Sequence, residues 1–141
     1  MGNVWILPHT KEKAGSELGI VQFRMNLEAR MKGEPMWDRD WEIDFEKLKK
    51  GDVVIFAFKE YDEWYAVGDA MVFKIDNAPQ DSEFKFRPRY ECFRLYPRNV
   101  SYTELAQKLG DSFRPTQYKH VKIDAEAYLS LLELTVTEPS M

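Results

Sequence analysis

The chain has 141 residues, a formal net charge of −4, 44% apolar residues and 31% charged ones, which is one ordinary domain able to bury its own core. No run approaches the ~18 apolar residues a membrane helix needs, and the acidic balance excludes a protein that coats nucleic acid non-specifically. The single cysteine, Cys92, excludes an internal disulfide and a cysteine-clustered zinc site.

The opening MGNVWILPHTKEK lacks the apolar core of a signal peptide, so a cytoplasmic location is the expectation. Val4 to Leu7 (VWIL) reads as a short buried strand stopped by Pro8. Residues 9–18 are polar and read as a loop. Gly19 to Phe23 (GIVQF) fits either a strand or the entry to a helix. Residues 24–32 are helix formers, with Gly33 and Pro35 as stop signals. Asp44 is a candidate N-cap for a short helix, FEKLKK, ended by Gly51.

The β signal then strengthens. Asp52 to Phe58 (DVVIFAF) is a buried strand, KEYDEW a charged turn, and Tyr65 to Ile75 the return strand, with Gly68 marking a bulge. In FKFRPRYECFRLY, Phe84, Phe86, Tyr90 and Cys92 share one parity, while Lys85, Arg87, Arg89 and Glu91 share the other. That is a half-exposed strand with a basic outer face, placed at a sheet edge or bulge by Pro88, and with Cys92 as a buried structural thiol. Ser101 to Glu104 (SYTE) forms a capping box for a helix over 102–109, stopped by Gly110. Residues 118–123 form a last strand, and Asp124 caps a final helix, AEAYLSLLEL. The pattern predicts a single α+β domain over 1–135, with 136–141 as a tail or linker. Its centre is a curled mixed sheet of about five or six strands, or a small barrel, with short helices packed at its ends.

Two anomalies bear on function. Residues 84–120 hold eight basic and three acidic side chains, so this segment carries +5 on an acidic domain. A local anionic partner explains this, as does a solvated face salt-bridged to the acidic parts. The second anomaly is aromatic content. Trp37, Trp41 and Trp64 lie in polar surroundings (PMWDRDWE, EYDEWY), where tryptophans often wall a pocket.

Catalytic signatures are absent. The glycines are scattered, with neither a phosphate loop nor a nucleophile elbow. His9 and His120 read as isolated surface residues. The acidic run Asp38, Asp40, Glu42, Asp44 reads more simply as a solvated face with a helix cap than as a metal site. We expect a non-catalytic domain with no metal and no cofactor.

Taken in order, the motifs resemble the EVE-type domains of the PUA-like superfamily, relatives of the YTH readers of methylated adenine. They are a Trp in the opening strand (VWIL), an apolar turn (Gly19-Ile-Val-Gln-Phe23), L-K-K-G-D before the strand DVVIFAF, and Ala66-Val67-Gly68 in the return strand. A long strand ending in Tyr-Pro, the S-Y-T-E-L helix start and Tyr-x-x-Val-x-Ile-Asp before the last helix complete the series. The match spans nearly the whole chain. The sequence departs from the YTH pattern in lacking a tryptophan–serine dipeptide after the first loop, where Gln22-Phe23 stands, and its segment 24–43 is longer.

The resemblance implies a reader that flips a modified base, methylated in the first instance, into an aromatic cage. Trp5, Phe23, Trp37, Trp41, Trp64 and Tyr65 are the cage candidates. Gln22 and Asp62 are candidates for hydrogen bonds to the base edge. Lys85, Arg87, Arg89, Arg94 and Arg98 would grip the flanking phosphates, arginine by virtue of its bidentate fork. Some family members resemble targeting domains of McrB-like, GTP-dependent restriction systems. That implies DNA ahead of RNA and a GTPase module, linked or separate, as partner. An RNA reader and a non-catalytic interaction module for a peptide or small ligand are the alternatives.

Overall fold

The computed structural model describes residues 2–9, 19–32, 46–81, 84–110 and 121–137. Within them the chain runs β1 (Val4–His9), α1 (Ile20–Met31), β2 (Val53–Glu60), β3 (Glu63–Asn77), β4 (Phe86–Ser101), α2 (Tyr102–Leu109), β5 (Val121–Ile123) and α3 (Ala125–Thr135). The strands form one sheet in the order β4-β3-β2-β1-β5. β1 and β2 are parallel, and the other neighbours are antiparallel. The sheet is mixed and open, so the expected barrel does not close among the described residues.

Both sheet faces are covered, which explains why β1 and β2 read as continuous apolar runs rather than alternating ones. Period-two alternation sorts their residues. Val4, Ile6, Val53, Ile55, Trp64 and Ala66 face α2 and α3, where they meet Tyr102, Leu105, Ala127 and Leu131. Trp5, Leu7, Val54, Phe56, Phe58 and Val67 face the opposite way, onto Phe23 and Leu27 of α1.

Local chemistry sets the element ends. Ser101 Oγ accepts the Glu104 N–H at 3.1 Å, so the capping box forms as its spacing predicts. Asp124 accepts the Ala127 N–H at 2.8 Å and starts α3. GIVQF resolves as helix: α1 begins at Ile20, whose N–H is held by Glu60 Oε2. Gly19 has φ 87° and packs against that carboxylate, a conformation and a space that suit glycine.

Four expectations need correction. Pro8 does not stop β1, which continues to His9. Among the described residues its β5 neighbour ends opposite Ile6, so Pro8 faces no described ladder partner there that needs its missing N–H. His9 is not a loop residue. It is buried, with its ring 5.1 Å from Phe23 and 5.9 Å from Phe56. Residues 46–51 form turns rather than a helix. Asp52 folds them back by accepting from Lys49 N, Asn3 N and Trp5 Nε1, each at 2.9 Å. Finally, Cys92 is exposed, for a reason that also shapes the site below.

A candidate binding pocket at the β-bulge

β3 and β4 pair over most of their lengths, but not evenly. Asp69 pairs with Arg94 and Met71 with Glu91, so Cys92 and Phe93 together face Ala70. Two residues against one is a β-bulge. Its first residue, Cys92, takes φ 55°. The extra residue reverses the strand's parity. Tyr90 and Phe93, three apart, now share a face, with rings 6.0 Å apart and both against Phe56. Cys92 is thereby turned outward, and Arg94 joins Tyr96 on the α3 side.

Gly68 lies one residue from this point, at a further register shift. A Cβ there would sit 2.5 Å from the Arg94 carbonyl oxygen, so only glycine permits this approach of β3 to β4. The bulge expected at Gly68 is present.

Beside the bulge is an open pocket of about 490 Å³, within the range of small-molecule sites. Its walls are apolar: Val53, Ala70, Met71, Phe93 and Leu95, with Met31 from the end of α1 and Tyr128 from α3. Its lining thus draws on helices from opposite faces of the sheet.

One polar assembly serves this pocket. Asp69 is buried, and an unpaired carboxylate there would be costly. It is not unpaired. Arg94 grips it bidentately, Nε to Oδ1 at 3.1 Å and Nη2 to Oδ2 at 2.8 Å. The hydroxyls of Tyr96 and Tyr128 donate to Oδ2 at 2.7 and 2.9 Å. Arg94 Nη2 also donates to the Tyr128 hydroxyl at 2.6 Å. Burial first, and then the neighbouring Asp69 charge, raise both tyrosines, Tyr128 to about 12, so each stays a neutral donor. Its hydrogen bonds to Asp69 raise Arg94 above the ordinary arginine range and keep it a cation. Half of the Arg94 side chain is exposed.

The sequence candidates fall in several places. Trp5 is buried, its indole N–H on Asp52, and the Phe23 ring lies tilted 4.8 Å from Phe58. Tyr65 is half-buried on the same face. Trp64 is 6% exposed in the opposite core, so the sheet separates it from Trp5, Phe23 and Tyr65. Gln22 is half-buried, with its amide donating to Asn26 Oδ1 at 3.0 Å, and Asp62 is exposed at the β2–β3 turn. Trp37, Trp41 and His120 lie outside the described residues, as do Asp38, Asp40, Glu42 and Asp44.

The basic strand is largely paired with acids. Arg89 binds Asp76 at 3.0 Å, and Arg98 holds Glu104 bidentately at 3.0 and 2.9 Å. Those hydrogen bonds pull both carboxylates below their ordinary range. Lys85 lies 3.7 Å from Glu46 at the surface, and Arg87 is half-buried. Among the described residues, Arg94 is the one sequence candidate that lines the pocket. Asp69 and Tyr128 escaped the sequence reading. The available signal was a lone acid in the apolar run YAVGDAMVF.

Among the described residues no helix is long and apolar enough to cross a membrane, and no three His, Cys, Asp or Glu side chains gather as a metal site. No protein-family model and no curated protein matches the sequence. Solved structures do match. The human THYN1 protein, in complex with 5-methylcytosine-containing DNA, aligns over 98% of this chain and 100% of its own, with a TM-score of 0.63 and 16% identity. The fold is PUA-like. A hypothetical protein from Leishmania major matches over 94% of each chain, with a TM-score of 0.62 and 13% identity. Protein Atu2648 from Agrobacterium tumefaciens covers 96% of this chain, with a TM-score of 0.53 and 13% identity. This PUA-like sheet is therefore what positions the bulge, the pocket and the Asp69 assembly.

Proposed function

We propose that this protein is a nucleic-acid reader that admits one modified base, methylated in the first instance, into the pocket beside the bulge. The observation that carries the reading is the full-length fold match to THYN1, which is bound to 5-methylcytosine-containing DNA. The pocket's size and apolar walls suit a flat ring with a methyl group. Extruding a base costs a few kcal/mol of stacking. An aromatic neighbour returns about 1–3 kcal/mol, and Phe93 in the pocket wall is such a neighbour. A methyl group adds about 1–3 kcal/mol of discrimination.

DNA stands ahead of RNA, and a role as the targeting module of a GTP-dependent restriction system is the setting we favour. Phosphate contacts are few in this reading, because Arg89, Arg94 and Arg98 already hold carboxylates. The salt dependence of binding should therefore be shallow, about one unit of slope per arginine engaged.

The same pairing favours one second reading, an interaction module that takes a small ligand in this pocket. Binding of oligonucleotides carrying one 5-methylcytosine or one N6-methyladenine, in DNA and in RNA, separates the two. Tighter binding to a modified strand than to its plain twin supports the reader. Equal binding to modified and plain strands of every kind overturns it. Preference for the RNA strands would move the function to RNA.

A further inference from the structure

Resting on the reader function, we propose that Arg94 determines which base the pocket accepts, by reading a hydrogen-bond acceptor edge, with Asp69, Tyr96 and Tyr128 as positioning residues.

Asp69 receives both arginine contacts and both tyrosine hydroxyls. The Tyr128 hydroxyl donates to Asp69 and accepts from Arg94. Three of the four contacts fall on Asp69 Oδ2 and one on Oδ1, and they tie these groups to each other. Arg94 Nη1 takes no part in the assembly, and the half-exposed side chain lines the pocket. A guanidinium only donates. Among the described residues, the exposed polar group of the site is therefore the Arg94 guanidinium, set in apolar wall, while the Asp69 carboxylate is buried.

An incoming base must bring the acceptors. Cytosine and its 5-methyl form carry O2 and N3 side by side. N6-methyladenine sets its N6–H donor next to N1, and a donor facing a guanidinium is left unpaired. A free arginine samples many rotamers, whereas this one is held by three hydrogen bonds to Asp69 and Tyr128 before any ligand arrives. Its geometry needs no rearrangement on binding. The Gly68 approach fixes the backbone beneath it.

The test compares oligonucleotides identical but for one 5-methylcytosine or one N6-methyladenine, each with its plain twin. The wild-type chain should prefer 5-methylcytosine by about tenfold. Arg94→Met keeps an unbranched apolar stem and removes the donors. It should bring the two modified bases within about twofold of each other while the thermal transition persists. Arg94→Lys is the second variant. It keeps the charge beside Asp69 but cannot both grip the carboxylate and present a fixed edge, so it too should lose selectivity. A wild-type preference for N6-methyladenine overturns the proposal. So does unchanged selectivity in either folded variant. If the wild-type chain fails to distinguish any modified strand from its twin, it is the reader function that falls.

Discussion

At the scale of single residues, Trp64 shows how misleading a charged neighbourhood can be. Its neighbours Asp62 and Glu63 suggested a ring left for a ligand, but strand parity sends alternate side chains to opposite faces whatever the chemistry beside them. The ring is buried in the α2–α3 core. Trp64→Ala should therefore cost about 3–5 kcal/mol, seen as a large fall in unfolding midpoint rather than a selective loss of binding. Trp5 makes a milder case. Trp5→Phe removes the donor to Asp52, and the carboxylate keeps its two backbone donors. A loss of about 1–2 kcal/mol in denaturant titration is expected. Buried Asp69 and outward Cys92 were hidden for related reasons. A single acid in an apolar strand does not announce its partners, which come from β4 and α3. A non-glycine residue at φ 55° leaves no compositional mark.

Whole elements were easier to read than the contacts between them. The capping box, the Asp124 cap, the β2–β3 hairpin and the Gly68 bulge all rest on local chemistry, and each appears in the structure. The pocket does not, because it assembles from α1, three strands and α3. Gly68→Ala tests how closely β3 and β4 must approach. The added carbon meets backbone rather than a flexible side-chain end, so the strands must shift. Stability should fall by more than 1 kcal/mol, and the Asp69–Arg94 geometry should change with it. α2 offers a pH test. Glu104 is depressed chiefly by its hydrogen bond to Arg98, and the capping contacts from Ser101 add to this. Its folded value lies below its unfolded one, so its contribution is full above the ordinary glutamate range near pH 4 and is lost as pH falls further. The unfolding midpoint of Glu104→Gln should lie below wild type at pH 7, and the gap should close toward pH 3.

Across the whole molecule, charge pairing accounts for the basic segment better than local composition did. Asp69, Asp76 and Glu46 meet Arg94, Arg89 and Lys85 from outside the segment, and Glu104 meets Arg98 within it. The long β4 strand carries Pro88, Pro97 and the Cys92 bulge, devices that discourage pairing with a stray strand. Arg24 of α1 further ties down its carbonyl at Tyr96, at 2.8 Å. The placement of β1 has a consequence for how the chain is made. This strand leaves the ribosome before the other strands of the sheet, yet Val4 pairs with Val53 on one side and with Ile123 on the other. Synthesis runs at about 5–20 residues per second. The apolar VWILPH segment therefore waits for seconds before β2 emerges, and longer before β5 does. A nascent chain stalled before residue 121 would present a bare strand edge and an uncovered sheet face. Holdase chaperones should bind such stalled chains and release those extended through α3.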